Sequence, residues 1–126
     1  MIDLQITDQI ATITLSRADK FNAFTEPMAM QMQEALEKCK EPDVRCIVIR
    51  GAGKAFCAGQ DLEEATAPDA KPIDAIVEDH YNPIVLRLRE IEKPVVAAVH
   101  GIAAGAARYI IHYLQLVRAA RADCGS

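Results

Sequence analysis

The stretch Val44–Leu62, which reads VRCIVIRGAGKAFCAGQDL, decides the fold that the rest of the sequence has to support. Its first seven residues are mostly β-branched or apolar and do not alternate with polar ones, which is typical of a strand covered on both faces. Gly51-Ala52-Gly53 ends that strand, and small residues dominate the loop that follows. We therefore expect a buried strand, Val44–Arg50, that delivers a glycine-rich turn to one edge of a sheet.

A second strand of the same kind, Pro94–Val99, precedes another turn of small residues, His100–Ala106. Between the two strands, Ile73–Ile91 carries apolar residues at helical spacing, and Pro83 predicts a kink in that helix. Two buried strands joined through a helix predict a right-handed parallel crossover. The carboxyl ends of parallel strands meet at one edge, so we expect the two turns to lie close together.

The flanking segments predict simpler elements. Residues 2–7 and 10–15 alternate and predict a hairpin. A helix begins after Thr25, which can cap it, and stops before Pro42. The apolar segment Ala106–Ala120 predicts a further helix with little polar face.

Composition excludes several classes of protein. The 126 residues carry 18 acidic and 14 basic side chains and are 51% apolar, which fits one compact domain rather than a disordered or two-domain chain. No run of Lys or Arg exceeds two residues, so a nucleic-acid partner is not expected. The four cysteines have no zinc-site spacing, so we expect reduced thiols and no metal. Without a basic leader or a long apolar stretch, we expect a cytoplasmic protein and no membrane partner.

The turn Gly51–Leu62 offers backbone N–H groups around Ala58-Gly59, and small side chains there let a ligand approach. Such amides can stabilise an oxyanion. A plain turn from strand to helix is the alternative that local composition allows. A dinucleotide-binding loop is a weaker one, because Phe56 occupies the sixth position of a G-x-G-x-x-G pattern.

Two motifs, FCAGQDL at Phe56–Leu62 and KPVVAAVHGIAAG at Lys93–Gly105, resemble the enoyl-CoA hydratase/isomerase (crotonase) family, and Lys20–Phe24 and Val44–Gly51 extend the likeness. The Tyr81-Asn82-Pro83 stretch most resembles the members engaged in phenylacetate degradation. The resemblance implies an α/β fold: a truncated crotonase-like (ClpP/crotonase) spiral β-β-α core, with an N-terminal β-hairpin and parallel strands joined by crossover helices. We expect one domain over residues 1–126, family-like to 105 and followed by a divergent C-terminal helix, 106–126.

The same resemblance implies an acyl-CoA or enoyl-CoA thioester as ligand, no cofactor beyond the coenzyme A of the substrate, and a homo-oligomer. It implies an oxyanion hole formed by the backbone N–H groups of Ala58 and Ala106. The residues it places against coenzyme A are Lys20, Ala23, Phe24, Ala55, Ala58, Gly59, Gln60, Asp61, Leu62 and Gly105.

The acid–base group is where the sequence departs from the family pattern. The first catalytic carboxylate of the family falls at Tyr109, and no Asp or Glu occurs between His100 and Asp123. His112 is a candidate substitute, although a lone His on an apolar helix is more often simply packed. The alternative function is therefore a catalytically inactive homologue that acts as a binding or assembly module through its apolar C-terminal helix. We interpret Cys57 as a small apolar filler and Asp61 as the residue that fixes the start of a helix.

Overall fold

A computed structural model describes residues 1–101, 103–105 and 116–119. Within these ranges, five strands form one sheet, in which they lie side by side in chain order. The strands are β1 Ile2–Thr7, β2 Ile10–Leu15, β3 Cys46–Gly51, β4 Val95–Val99 and β5 Leu116–Ala119, and the α-helices are α1 Glu26–Lys38, α2 Leu62–Ala65, α3 Ile73–Ile76 and α4 Asn82–Glu90. None of the helices in these ranges is long and apolar enough to cross a membrane.

The N-terminal hairpin and the first helix are confirmed. β1 and β2 pair antiparallel, with Thr7 opposite Ile10 across the turn. Helix α1 begins after Thr25, whose hydroxyl oxygen accepts from the Met28 N–H at 3.4 Å, and Pro27 occupies the first turn. The Pro ring suits that position because its missing N–H would have no partner inside the helix.

The parallel arrangement of β3 and β4 is also confirmed, since Ile47 pairs with Val95 and Ile49 with Ala97. The expectation that these strands are covered on both faces is wrong for the described residues. Ile47 and Ile49 are buried in the core that α1 and α4 share, whereas Val48 on the opposite face is only half-buried. The β-branched run therefore supports one packed face and one partly open face.

The break in the second helix lies earlier than the predicted kink at Pro83. A π-helical turn, Val77–Tyr81, separates α3 from α4, and Pro83 sits in the first turn of α4. Pro83 has no N–H to donate to the carbonyl four residues before it, Asp79. Gln33 from α1 replaces that donor, because its Nε2 lies 3.0 Å from the Asp79 oxygen. The proline thus disrupts the helix one turn upstream of itself.

The C-terminal expectation needs correction. Leu116–Ala119, inside the segment predicted to be helical, is a strand that pairs parallel with β4, Val96 opposite Leu116. The edge of β4 offers unpaired backbone donors and acceptors. The hydrogen bonds that this segment makes to them outweigh its local preference for a helix. Residues 106–115 and 120–126 lie outside the described residues. The assembly-module alternative, which relied on an apolar helix over this region, loses part of its basis, and oligomerisation stays a prediction.

Candidate functional site

Three segments lie side by side at the end of the sheet, and they define the candidate site: residues 20–24, the turn 57–61, and residues 103–105. Phe24 pairs with Gln60 and Cys57 pairs with Ala103, both in parallel. The Phe24 N–H donates to the Gly59 oxygen at 2.7 Å, and the Ala104 N–H donates to the Cys57 oxygen at 3.1 Å. The two glycine-rich turns therefore meet, as the parallel topology predicts.

Gly59 allows the two turns to approach backbone to backbone. Its φ is +103°, and a Cβ atom there would lie 3.1 Å from the Ala104 oxygen and 3.5 Å from the Gly105 Cα. A side chain would thus meet both an unfavourable dihedral angle and fixed backbone atoms. The close approach brings the peptide groups of both turns into one small region.

The predicted oxyanion donor, the Ala58 N–H, is already occupied. It donates to the carbonyl oxygen of Phe21 at 2.9 Å. Phe21 and Asn22 both have positive φ, +52° and +57°, and this left-handed turn aims the Phe21 carbonyl at the amide. Sequence reasoning could not assign this bond, because it joins residues 37 positions apart through a turn of non-glycine residues.

The Gln60 N–H is the better-placed donor. The residues on both sides of Gln60 bond to the backbone of Phe24. The Gly59 oxygen accepts from the Phe24 N–H, and the Asp61 N–H donates to the Phe24 oxygen at 2.8 Å. Backbone groups alternate in direction along an extended segment, so the Gln60 N–H faces away from Phe24. Within the described part of the chain it has no hydrogen-bond partner.

Asp61 fixes the start of α2, as expected. Its carboxylate accepts from the Glu64 N–H at 2.9 Å and forms an ion pair with Arg17 at 2.7 Å. The backbone N–H of Glu64, followed by Arg17, holds the pKa of the Asp61 carboxyl below its ordinary value. Arg17 also donates to the Ala23 oxygen at 2.9 Å, so one guanidinium ties residues 20–24 to the turn.

The residues that the resemblance places against coenzyme A divide into two groups. Ala23, Phe24, Ala55, Gly59 and Asp61 are buried, and Gln60 is partly buried. The more exposed members are Lys20, Ala58, Leu62 and Gly105. The Lys20 ammonium lies 3.8 Å from Glu63 and stays half-exposed, which leaves it available to a phosphate. Ala106 and His112, like Tyr109, lie outside the described residues.

A polar cluster beside the turn escaped sequence reasoning. We define it as Glu26, Glu64, Lys71 and His80, which come from four different parts of the chain. Both carboxylate oxygens of Glu64 accept from the Glu26 N–H, at 3.0 and 3.1 Å, and Glu64 also accepts from Gln60 Nε2 at 3.3 Å. Tyr81, buried next to His80, donates to the side-chain oxygen of Gln60. The π-helical turn brings His80 and Tyr81 inward together, and the sequence pattern did not predict that turn.

A cavity of about 630 Å³ lies along α4, and its lining includes Pro83 and Leu86. It shares no lining residue with the turn 57–61. A second cavity, of about 240 Å³, also has no lining residue in the turn, but Glu64 in its wall accepts from Gln60 Nε2 at 3.3 Å. The smaller cavity is therefore the one that belongs with the candidate site.

Cys57 is expected to be inert although it adjoins the turn. It is fully buried, and burial raises the pKa of its thiol to about 11. Because the thiolate is the reactive form, we expect iodoacetamide at pH 8 to label Cys57 at least about 100-fold more slowly than half-buried Cys46. Peptide mass mapping of the folded protein measures both rates. Equal labelling would contradict the interpretation of Cys57 as an apolar filler.

Comparison with known proteins agrees with this architecture. The family described as enoyl-CoA hydratase/isomerase matches residues 5–114. The 1,2-epoxyphenylacetyl-CoA isomerase of Escherichia coli (strain K12) is 40% identical over 116 residues, which cover 89% of this chain and 44% of that protein. The 4-chlorobenzoyl coenzyme A dehalogenase-2 of an Arthrobacter species is 36% identical over 108 residues, which cover 82% of this chain and 39% of that protein.

Solved structures show the same fold. A crystal structure of an enoyl-CoA hydratase from Mycobacterium smegmatis superposes with a TM-score of 0.86 at 31% identity, covering 95% of this chain and 48% of that one. The chain thus spans less than half the length of these relatives. The expected α/β fold with its hairpin and parallel strands is confirmed.

Proposed function

The chain belongs to the enoyl-CoA hydratase/isomerase family, and from this we propose that it binds acyl-CoA or enoyl-CoA thioesters with the thioester oxygen at the Gln60 N–H. Coenzyme A enters as part of the substrate, and we propose no separate cofactor. The second donor in this proposal is the Ala106 N–H, which the family resemblance supplies. Two donors aimed at one oxygen stabilise the negative charge that a thioester carbonyl gains when it becomes an enolate.

The observation that carries the proposal is the direction of the Gln60 amide. It faces away from Phe24 and has no partner in the described ranges, whereas the neighbouring Ala58 amide is bonded to Phe21. Gly59 holds the turn in a conformation that ordinary residues disfavour. A donor that is preorganised in this way needs little rearrangement when charge develops on a ligand.

The relatives support a ligand class more firmly than a reaction. An isomerase and a dehalogenase, both named for coenzyme A thioesters, are 40% and 36% identical to this chain. The shared half therefore accompanies different chemistries. We propose enoyl-CoA hydratase or isomerase activity as the consequence of enolate stabilisation, with His112 as the candidate base in place of the family carboxylate.

A matched pair of ligands tests the amide. Butyryl-CoA carries the thioester oxygen and S-butyl-CoA lacks it, so their affinities differ by the contact to that oxygen. We expect calorimetry to show about tenfold tighter binding of butyryl-CoA, which corresponds to about 1.4 kcal/mol. Gln60→Pro, which removes the N–H, should bring the ratio close to one. Gln60→Ala, which keeps the N–H but removes the side chain, should preserve it.

The absorbance of crotonyl-CoA decides in the same samples between an enzyme and a binding protein. If the protein hydrates the enoyl group, Gln60→Pro should slow the reaction by about 100-fold relative to Gln60→Ala. Equal affinity of the intact protein for thioester and thioether would contradict the amide assignment. Failure to bind either ligand would contradict the proposed function itself.

A further inference from the structure

Arg17 reaches the candidate site through backbone groups. Its Nη1 atom donates to the Ala23 oxygen at 2.9 Å and to a carboxylate oxygen of Asp61 at 2.7 Å. An amino group of a guanidinium carries two hydrogens, so both bonds form at the same time. Only 19% of the Arg17 side chain is exposed, so the cation is held largely inside the fold. A charged donor in such a place makes a stronger hydrogen bond than a neutral one.

The Ala23 oxygen begins a series of two peptide groups that ends at the Gln60 N–H. The Ala23 oxygen and the Phe24 N–H belong to one peptide group, and this N–H donates to the Gly59 oxygen at 2.7 Å. The Gly59 oxygen and the Gln60 N–H belong to the next one. Both peptide groups are trans, so the oxygen and the hydrogen of each point in opposite directions. We call these two groups, aligned head to tail between Arg17 and the Gln60 N–H, the peptide relay.

A cation at the start of the peptide relay strengthens the donor at its end. A positive charge at a peptide oxygen draws electrons away from the N–H of the same group, and each hydrogen bond polarises the next. The effect is larger away from water, and Ala23, Phe24 and Gly59 are all buried. The Asp61 carboxylate, paired with the same guanidinium, opposes this polarisation because its charge has the opposite sign.

We propose that Arg17 is a positioning residue for the thioester oxygen, and that it acts through the peptide relay by holding the Gln60 N–H in line and polarising it. The inference rests on the proposed function and deepens it, because it names the group that strengthens the amide. Aligned dipoles need no rearrangement when charge develops on the ligand. Their effect is larger on an enolate oxygen than on the carbonyl oxygen of the bound thioester, since the enolate carries more negative charge.

Substitutions at the two ends of the ion pair test the proposal by the sign of their effects. The measured quantity is the ratio of the affinities for butyryl-CoA and S-butyl-CoA, which reports the contact to the thioester oxygen. Arg17→Met removes the cation and should lower this ratio from about tenfold to about threefold. Asp61→Ser keeps a capping oxygen for the Glu64 N–H but removes the opposing charge, so it should raise the ratio by about threefold.

Arg87→Met is the matched control. Arg87 also combines an ion pair, with Glu37 at 2.8 Å, and a bond from Nη1 to a backbone oxygen, that of Pro83 at 3.1 Å. These contacts lie within α4 and between α4 and α1, so the ratio should stay at about tenfold. A fall of the ratio in both Arg17→Met and Asp61→Ser would give the ion pair a structural role alone and overturn the peptide relay. A ratio that neither variant changes would overturn it as well.

Amide-proton NMR of the unmodified protein tests the peptide relay without a variant. An oxygen that accepts from the Gln60 N–H should strengthen the bond from the Phe24 N–H to the Gly59 oxygen, so the Phe24 proton should move downfield with butyryl-CoA and not with S-butyl-CoA. Equal shifts with the two ligands would overturn the peptide relay and leave the proposed function intact. Equal affinity for the two ligands would remove the amide assignment together with this inference. Failure to bind either ligand would remove the proposed function as well.

Discussion

Gly101→Ala is expected to lower the free energy of unfolding by more than about 3 kcal/mol, because the new side chain meets an unfavourable dihedral angle and has no space. The φ of Gly101 is +60°, and a Cβ atom would overlap the carbonyl oxygen of Lys54. That oxygen belongs to the backbone of the loop after β3, so it cannot rotate away as a flexible side chain could. In a domain of this size the loss corresponds to a fall in Tm of about 10 °C.

Gly105→Ala is the matched control for this prediction. Gly105 also has a positive φ, +54°, but among the described residues the nearest atom to a Cβ there, the Gly59 Cα, lies 3.4 Å away, at ordinary contact distance. The expected loss is the dihedral cost alone, about 1 kcal/mol. Urea unfolding of both variants gives the comparison. Similar losses for the two would show that the Lys54 segment moves, and would contradict the close contact between the loop and the end of β4.

Asn22→Ala is expected to destabilise the protein by about 3 kcal/mol, because it leaves several buried backbone groups without partners. Asn22 is fully buried. Its amide nitrogen donates to the oxygens of Ala52 and Ala55, both at 2.9 Å, and of Phe56 at 3.2 Å. Its side-chain oxygen accepts from the Arg17 N–H at 2.7 Å. One side chain therefore organises the loop that precedes the Cys57–Asp61 turn.

Two further variants separate the possible causes of this loss. Asn22→Asp keeps the acceptor and tolerates the left-handed conformation, φ +57°, but it has no hydrogen to donate, so we expect it to be no more stable than Asn22→Ala. Gln33→Ala removes an amide that also donates to backbone oxygens but is less buried, and it should cost about 1 kcal/mol or less. Thermal unfolding measures all three. A loss below about 1 kcal/mol for Asn22→Ala would show that water replaces the amide.

Local patterns in the sequence predicted those parts of the fold whose interactions are local. The alternation in residues 2–7 and 10–15 predicted the hairpin, and the cap at Thr25 predicted where the first helix begins. The parallel pairing of β3 with β4 followed from two apolar strands joined by a helix. The family likeness added the expected architecture, which the solved relatives confirm.

Non-local contacts explain where those patterns failed. Leu116–Ala119 lies in the apolar segment that predicted a helix, yet its hydrogen bonds to the open edge of β4 make it a strand. The disruption caused by Pro83 lies upstream, at a carbonyl that Gln33 from another helix satisfies. In both cases a hydrogen-bond partner distant in sequence decided the conformation.

The sequence alone determined that the chain folds around two strands that end in glycine-rich turns, and its resemblance to the family implied a thioester ligand. Only the tertiary structure decided which backbone amide is open to the proposed ligand, since within the described residues the Ala58 N–H bonds to Phe21 and the Gln60 N–H has no partner. It also assembled Glu26, Glu64, Lys71 and His80 beside the turn. The physical reason is the same for both: a donor or acceptor is available only if no other part of the folded chain has already satisfied it.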